Sequence, residues 1–154
     1  MGRLAEEIRQ AKPFASLEEE AILAVQRTAS VLEQVVAEAL RPHGLSSIQY
    51  NVLRILRGAG AGGLACQEIA GRMVTRDPDV TRLLDRLEAR GLIGRSRSRE
   101  DRRVVVARIS GAGRRLLASA DPSIESLPKR VLGHLGGRRT RLLIELLERV
   151  RKGA

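Results

Sequence analysis

Apolar residues along 16–41 recur at helical spacing. Leu17, Ala21, Ala24, Val25, Leu32, Val35, Val36 and Ala39 share one side, and Ile22, Ala29, Val31 and Leu40 widen the stripe. Ser16-Leu17-Glu18-Glu19 marks the start, because the Ser16 hydroxyl can accept from the Glu19 amide while Glu19 reaches back. Pro42-His43-Gly44 marks the stop. So broad a stripe, on a helix long for a small domain, implies packing on more than its own chain.

The same periodicity predicts a helix from Ser46 to about Arg57, with Ile48, Val52, Leu53, Ile55 and Leu56 inward. Gly58 to Gly63 reads as a glycine-rich loop; no Lys-Ser/Thr pair follows it, so it is not a phosphate-cradling loop. A short helix over 67–73 and another over 78–90 come next. Pro78 suits the first position of the second, with Asp77 or Thr75 as its cap, and Gly91 ends it. Two strand-like runs, 92–96 and 103–109, flank a polar turn. From Ser110-Gly111 a helical stretch runs toward the C-terminus, with breaks expected near Pro122, Pro128 and Gly136-Gly137. Its last part, 138–151, spaces Leu142, Leu143, Leu146, Leu147 and Val150 for one apolar face. Residues 1–15, interrupted by Pro13, are a loose arm or a short helix.

A short helix, a tight connection and a second helix make a helix-turn-helix candidate. In the second helix Val80, Leu83, Leu84 and Leu87 fall at i, i+3, i+4 and i+7 and must face the core. The opposite side then presents Asp79, Thr81, Arg82 and Arg86, with Arg76 just ahead of the helix. Arg82 and Arg86 lie one turn apart, as suits a helix in a major groove, where arginine pairs bidentately with guanine. Alone, such a face is more often only solvated. The next segment changes the weighing.

Strand, arginine-rich turn, strand is the shape of a β-hairpin wing. Arg97, Arg99, Arg102 and Arg103 repel one another at its tip, but against phosphate rows or a minor groove they are neutralised and release counterions. Asp101 can orient a neighbouring arginine. Charge that only guards a hairpin edge explains one or two of these arginines and not the set.

Composition agrees. The chain has 154 residues, 28 Lys+Arg against 18 Asp+Glu, and a net charge of +10, a balance that calls for a polyanion. Apolar content of 43% provides a packed core. Phe14 and Tyr50 are the only aromatics, which disfavours base stacking on single strands or RNA. One cysteine, the absence of a membrane-length apolar run, and a Met1–Gln10 stretch without a signal-peptide core place the expected compartment in the cytoplasm.

Residues 45–117 resemble the winged helix-turn-helix core of MarR-type transcription regulators. The likeness is carried by Leu45-Ser46-Ser47-Ile48-Gln49-Tyr50 with Val52-Leu53-Arg54, by Gln67-Glu68-Ile69-Ala70, and by Val80-Thr81-Arg82-Leu83-Leu84-Asp85-Arg86-Leu87-Glu88. Arg90-Gly91-Leu92-Ile93, Asp101-Arg102-Arg103, Ile109-Ser110 and Gly113 complete it. The resemblance implies a mainly α (α+β) fold in a single 1–154 unit. A winged core at 45–110 would lie between dimerisation helices at 16–41 and 111–151. It also implies a homodimer on a pseudo-palindromic operator, often a repressor released by a small phenolic or lipophilic effector. The recognition helix would be 78–90 and the wing tip 97–103.

Other readings are weaker. A winged fold used only for protein contact would not need Arg97, Arg99, Arg102 and Arg103 together. Cys66, where the first motif helix begins, is a candidate peroxide-sensing thiolate, though a small inert core cysteine is the commoner case. His43 and His134 show no metal-ligand spacing with it, so no metal or cofactor is expected. No nucleophile–base motif stands out, so catalysis is not expected.

Overall fold

A computed structural model describes residues 3–76 and 79–154. In order, its elements are α1 (Arg3–Glu7), α2 (Leu17–Leu40), α3 (Ser47–Ala59), β1 (Leu64–Ala65), α4 (Cys66–Arg72), α5 (Val80–Ala89), β2 (Ile93–Arg97), β3 (Val105–Ile109), α6 (Gly111–Glu125), α7 (Leu127–Leu132) and α8 (Gly136–Lys152). The expected mainly α (α+β) class and winged core are found. The three strands form an antiparallel sheet in the order β1-β3-β2. β1 escapes a periodicity reading because two residues show no alternation; Leu64 and Ala65 pair with Ala107 and Val106.

Helix starts follow local chemistry. The Ser16 hydroxyl accepts from the Glu19 amide at 3.2 Å, and the Ala15 amide donates to the Glu19 carboxylate. Ser46 and Gln49 form a reciprocal box at 3.2 Å in both directions. Ser110 caps α6 through the Gly113 amide at 3.0 Å. The core gathers on α3, α4, α5, the sheet and α6; Val52, Leu53, Leu56, Ile69, Leu87 and Leu117 have no exposed surface.

Two expectations need correction. Pro122 does not interrupt α6, which runs on to Glu125. The residue four back, Ala118, is exposed, so water can take the carbonyl left without a donor. The break comes at Ser126, and Pro128 sits in the first turn of α7. The cap of α5 is also misplaced. Asp79, not Thr75, accepts from the Arg82 amide at 3.0 Å. Asp77 and Pro78, assigned to that start, lie outside the described residues.

A polar cluster joins the winged core to α6. The Arg57 guanidinium donates to both oxygens of Asp121, at 2.5 and 3.3 Å, and the Tyr50 hydroxyl donates to one of them at 3.0 Å. The Arg57 hydrogen bonds hold the Asp121 carboxyl below its ordinary pKa, against the opposing effect of burial. A depressed carboxylate stabilises the fold above its unfolded pKa, and that stability is lost as pH falls through the folded value. Asp121→Asn is therefore expected to cost about 1–2 kcal/mol at neutral pH, with solvent moderating a half-buried pair. The gap from the parent protein should start to narrow below about pH 4 and close only once the pH falls below the depressed folded value. Urea unfolding followed from neutral pH down into acid checks this; a gap that does not narrow at all below about pH 4 would contradict it.

The flanking helices behave differently from the core. Within one chain α2 fully buries only Leu40, and no described residue of α8 is fully buried. Leu17, Ile22, Val25 and Val31 of α2 and Leu142, Leu143, Ile144, Leu146 and Val150 of α8 are exposed. Among the described residues no helix is long and apolar enough to cross a membrane.

Candidate nucleic-acid interface

The helix-turn-helix pair is α4 and α5. On α5 the four residues at helical spacing, Val80, Leu83, Leu84 and Leu87, are all buried. They fix the orientation of the rest of the helix, leaving Thr81, Arg82, Asp85 and Arg86 exposed. Arg82 stays 70% exposed, with its Nε 3.6 Å from Asp79. So open an i, i+3 pair does little to hold the guanidinium back from another partner. Asp79 itself faces the helix start it caps, where a carboxylate satisfies orphan amides; it is not simply one of the outward groups. Arg76 is exposed ahead of it. The connection is tied to α3 at Val74, whose amide donates to the Asn51 side chain at 3.1 Å.

The wing is the β2–β3 hairpin, paired from Ile93↔Ile109 to Arg97↔Val105. Its turn is ordered from within. Ser98 Oγ accepts from the Glu100 amide at 3.2 Å and the Asp101 amide at 3.4 Å, and the Ser98 amide donates to the Val104 carbonyl at 2.8 Å. Asp101 accepts from the Arg103 Nε and a terminal nitrogen, each at 3.1 Å, and from its amide at 2.9 Å. These bonds keep the Asp101 carboxyl below the ordinary range. Arg103 is nonetheless 91% exposed, so its fork is oriented without being covered. Arg97 is bound differently: it donates to the Arg102 carbonyl at 2.7 Å and closes the turn. Arg99 and Arg102 make no side-chain hydrogen bond or ion pair among the described residues.

Arg95 was not singled out in the sequence, yet it is the most engaged arginine of the run. It binds Asp85 and Glu88 of α5. A signal existed: strand alternation puts Arg95 on the same face as buried Ile93, and an inward arginine needs a carboxylate. Cys66 is half-buried at the start of α4, its Sγ 3.8 Å from Thr81 Oγ1, beside Leu84, Val105 and Ala107. His43 lies elsewhere, with Nδ1 3.2 Å from Ser119 Oγ. The described residues gather no set of three potential metal-ligating groups.

The profile described as the MarR family matches residues 45–105. A MarR transcription factor from Planctomyces limnophilus is 40% identical, with a TM-score of 0.66 over 88% of this chain and 98% of its own. The HTH-type transcriptional regulator TtmR of Methylorubrum extorquens (strain PA1) is 34% identical over 121 residues, 79% of this chain and 59% of its length. CouR, a transcriptional repressor solved on a 23-mer DNA duplex, is 28% identical, with a TM-score of 0.75 over 92% of this chain and 99% of its own. CouR from Rhodococcus jostii RHA1, solved with p-coumaroyl-CoA, is 25% identical, with a TM-score of 0.74 over 89% and 95%. The chain spans 44%, 57% and 59% of three curated relatives, the first two being YdgJ and MdtR of Bacillus subtilis.

Proposed function

The chain belongs to the MarR family, and we propose from that premise that it is a homodimeric repressor of transcription, bound to a pseudo-palindromic double-stranded operator. The observation that carries the reading is the pairing of two basic elements. A helix buries its apolar stripe and turns Thr81, Arg82 and Arg86 outward. Beside it stands a hairpin whose tip holds Arg99, Arg102 and Arg103 exposed. DNA binding by CouR supports the same use here. The uncovered apolar faces of α2 and α8 support the pairing of two copies.

Release by a small lipophilic or phenolic effector is part of the proposal, supported by the p-coumaroyl-CoA bound to CouR. With Phe14 and Tyr50 the only aromatics and the Tyr50 hydroxyl given to Asp121, mainly aliphatic walls would hold such a molecule in this chain. For Cys66 the packing role is preferred to a redox one, because its sulfur lies half-covered against α5 and the sheet.

On this reading the wing supplies affinity and the recognition helix supplies sequence choice. Operator duplexes would first be selected from random DNA. Arg103→Ala should then weaken operator and scrambled duplex alike and lower the salt slope by roughly one. Arg82→Ala should relax one base-pair step per half-site, at about 1–3 kcal/mol. Titration of both duplexes at two salt concentrations separates the roles. Equal losses for both variants on both duplexes would make the helix another phosphate contact and defeat this division.

A further inference from the structure

We infer that Arg95 is a positioning residue, a clamp that fixes the wing strand against the recognition helix and does not itself bind DNA. This rests on the regulator reading given above. Arg95 is 25% exposed, where Arg103 is 91% exposed. Its Nε donates to Glu88 Oε2 at 2.9 Å, and one terminal nitrogen reaches the same oxygen at 2.6 Å. That nitrogen also donates to Asp85 Oδ1 at 2.6 Å. Its backbone amide donates to the other Glu88 oxygen at 3.1 Å. Glu88 thus holds both the side chain and the main chain of one residue, so sliding or lifting the strand breaks several charge-assisted bonds together.

Charge points the same way. One cation lies between two carboxylates, so the cluster offers no spare positive charge to a phosphate. To reach DNA the guanidinium would have to abandon both partners. Its place in the hairpin gives the clamp its effect. Arg95 faces Ala107 across the sheet, two residues before the last pair at Arg97 and Val105. The tip arginines therefore hang from a strand pinned one step below them. Phosphate attraction tolerates a loosely hung tip, but simultaneous engagement of helix and wing does not. The clamp should appear in operator preference and not in electrostatic affinity.

Arg95→Met keeps the apolar stem and removes the fork. It is expected to weaken operator binding about tenfold, leave the scrambled duplex within about twofold, and leave the salt slope unchanged. Arg95→Lys, which cannot span two carboxylates as a planar fork does, should recover only part of the loss. Asp85→Asn with Glu88→Gln frees Arg95 instead; scrambled DNA should then bind tighter with a steeper slope, and the operator-to-scrambled ratio should fall. A slope for Arg95→Met that drops by about one, with equal losses on both duplexes, would make Arg95 a DNA contact and overturn the proposal. No change on either duplex would overturn it too. If the parent protein prefers no operator at all, the regulator reading fails separately. Hydrogen exchange of the 96–106 amides then decides the clamp alone: faster exchange in Arg95→Met supports it, and unchanged exchange overturns it.

Discussion

Leu146→Lys combined with Val150→Lys is expected to turn a micromolar dimer into a monomer and to weaken operator binding on the order of 1,000-fold. Both side chains are exposed in the single chain, at 49% and 61%, so lysine there costs the protomer little. Across an interface the same two positions would bury unpaired charge, at several kcal/mol each. The face they would spoil is large. Nine big apolar side chains stand exposed on α2 and α8, and since most are already about half covered, each would add only part of the roughly 1.5–3 kcal/mol that full burial of an exposed side chain brings. Charge also fits a self-complementary contact. α8 carries Arg138, Arg139, Arg141, Arg149, Arg151 and Lys152 against Glu145 and Glu148, while α2 carries Glu18, Glu19, Glu20, Glu33 and Glu38 against Arg27. The winged core should remain folded, because Val52, Leu53, Leu56, Ile69, Leu87 and Leu117 are covered within one chain. Operator affinity falls so far because each half-site would have to be bound alone. Sedimentation velocity and operator titration check both parts. A parent protein that sediments as a stable folded monomer at micromolar concentration, or a double variant that remains dimeric, would defeat the dimer proposal.

What the sequence revealed tracks where one periodicity governs. The stripe on α5 is strictly helical, and its four buried residues were found at the expected positions because a single face decides their fate. The wing was legible from its bounds, since a charged turn between β-branched runs has few other folds open to it. Failures came where two local rules compete. Proline at 122 argues for a break, yet α6 continues because the affected carbonyl can face water and Asp121 is held by Arg57 and Tyr50. That triad joins residues 64 and 71 positions apart, a distance at which no local pattern speaks. The arginine run posed the harder problem. In sequence Arg95, Arg97, Arg99, Arg102 and Arg103 look alike. In the fold one clamps α5, one closes the turn, one is oriented by Asp101, and Arg99 and Arg102 make no side-chain hydrogen bond or ion pair among the described residues. Strand alternation separates the first of these; the others depend on turn geometry that composition does not encode.

Gly113→Ala is expected to destabilise the protein by about 3 kcal/mol, although helix propensity alone favours alanine by roughly 1 kcal/mol. Gly113 is buried in the first turn of α6. A Cβ there would lie 2.2 Å from the Leu92 carbonyl oxygen, 2.9 Å from Ile109 Cγ1 and 3.1 Å from the Leu92 carbonyl carbon. The oxygen cannot simply swing away. It accepts from the Ser110 amide at 3.0 Å, while the Leu92 amide donates to the Leu87 carbonyl at 3.0 Å. Ser110 is fixed in turn, its hydroxyl donating to the Gly91 carbonyl at 2.6 Å and accepting from the Gly113 amide at 3.0 Å. Relief therefore requires moving the end of α5, the root of β2 or the start of α6, and each is built into the core. Gly111→Ala is the control within the same turn. Its nearest neighbour is an Arg115 guanidinium nitrogen at 3.4 Å, the far end of a flexible side chain. That substitution should be neutral or stabilising by about 0.5–1 kcal/mol. Propensity by itself predicts the same sign for both; close packing predicts opposite signs. Guanidinium midpoints of the two variants decide between them. If Gly113→Ala unfolds no earlier than the parent, the close approach of α6 to Leu92 is wrong.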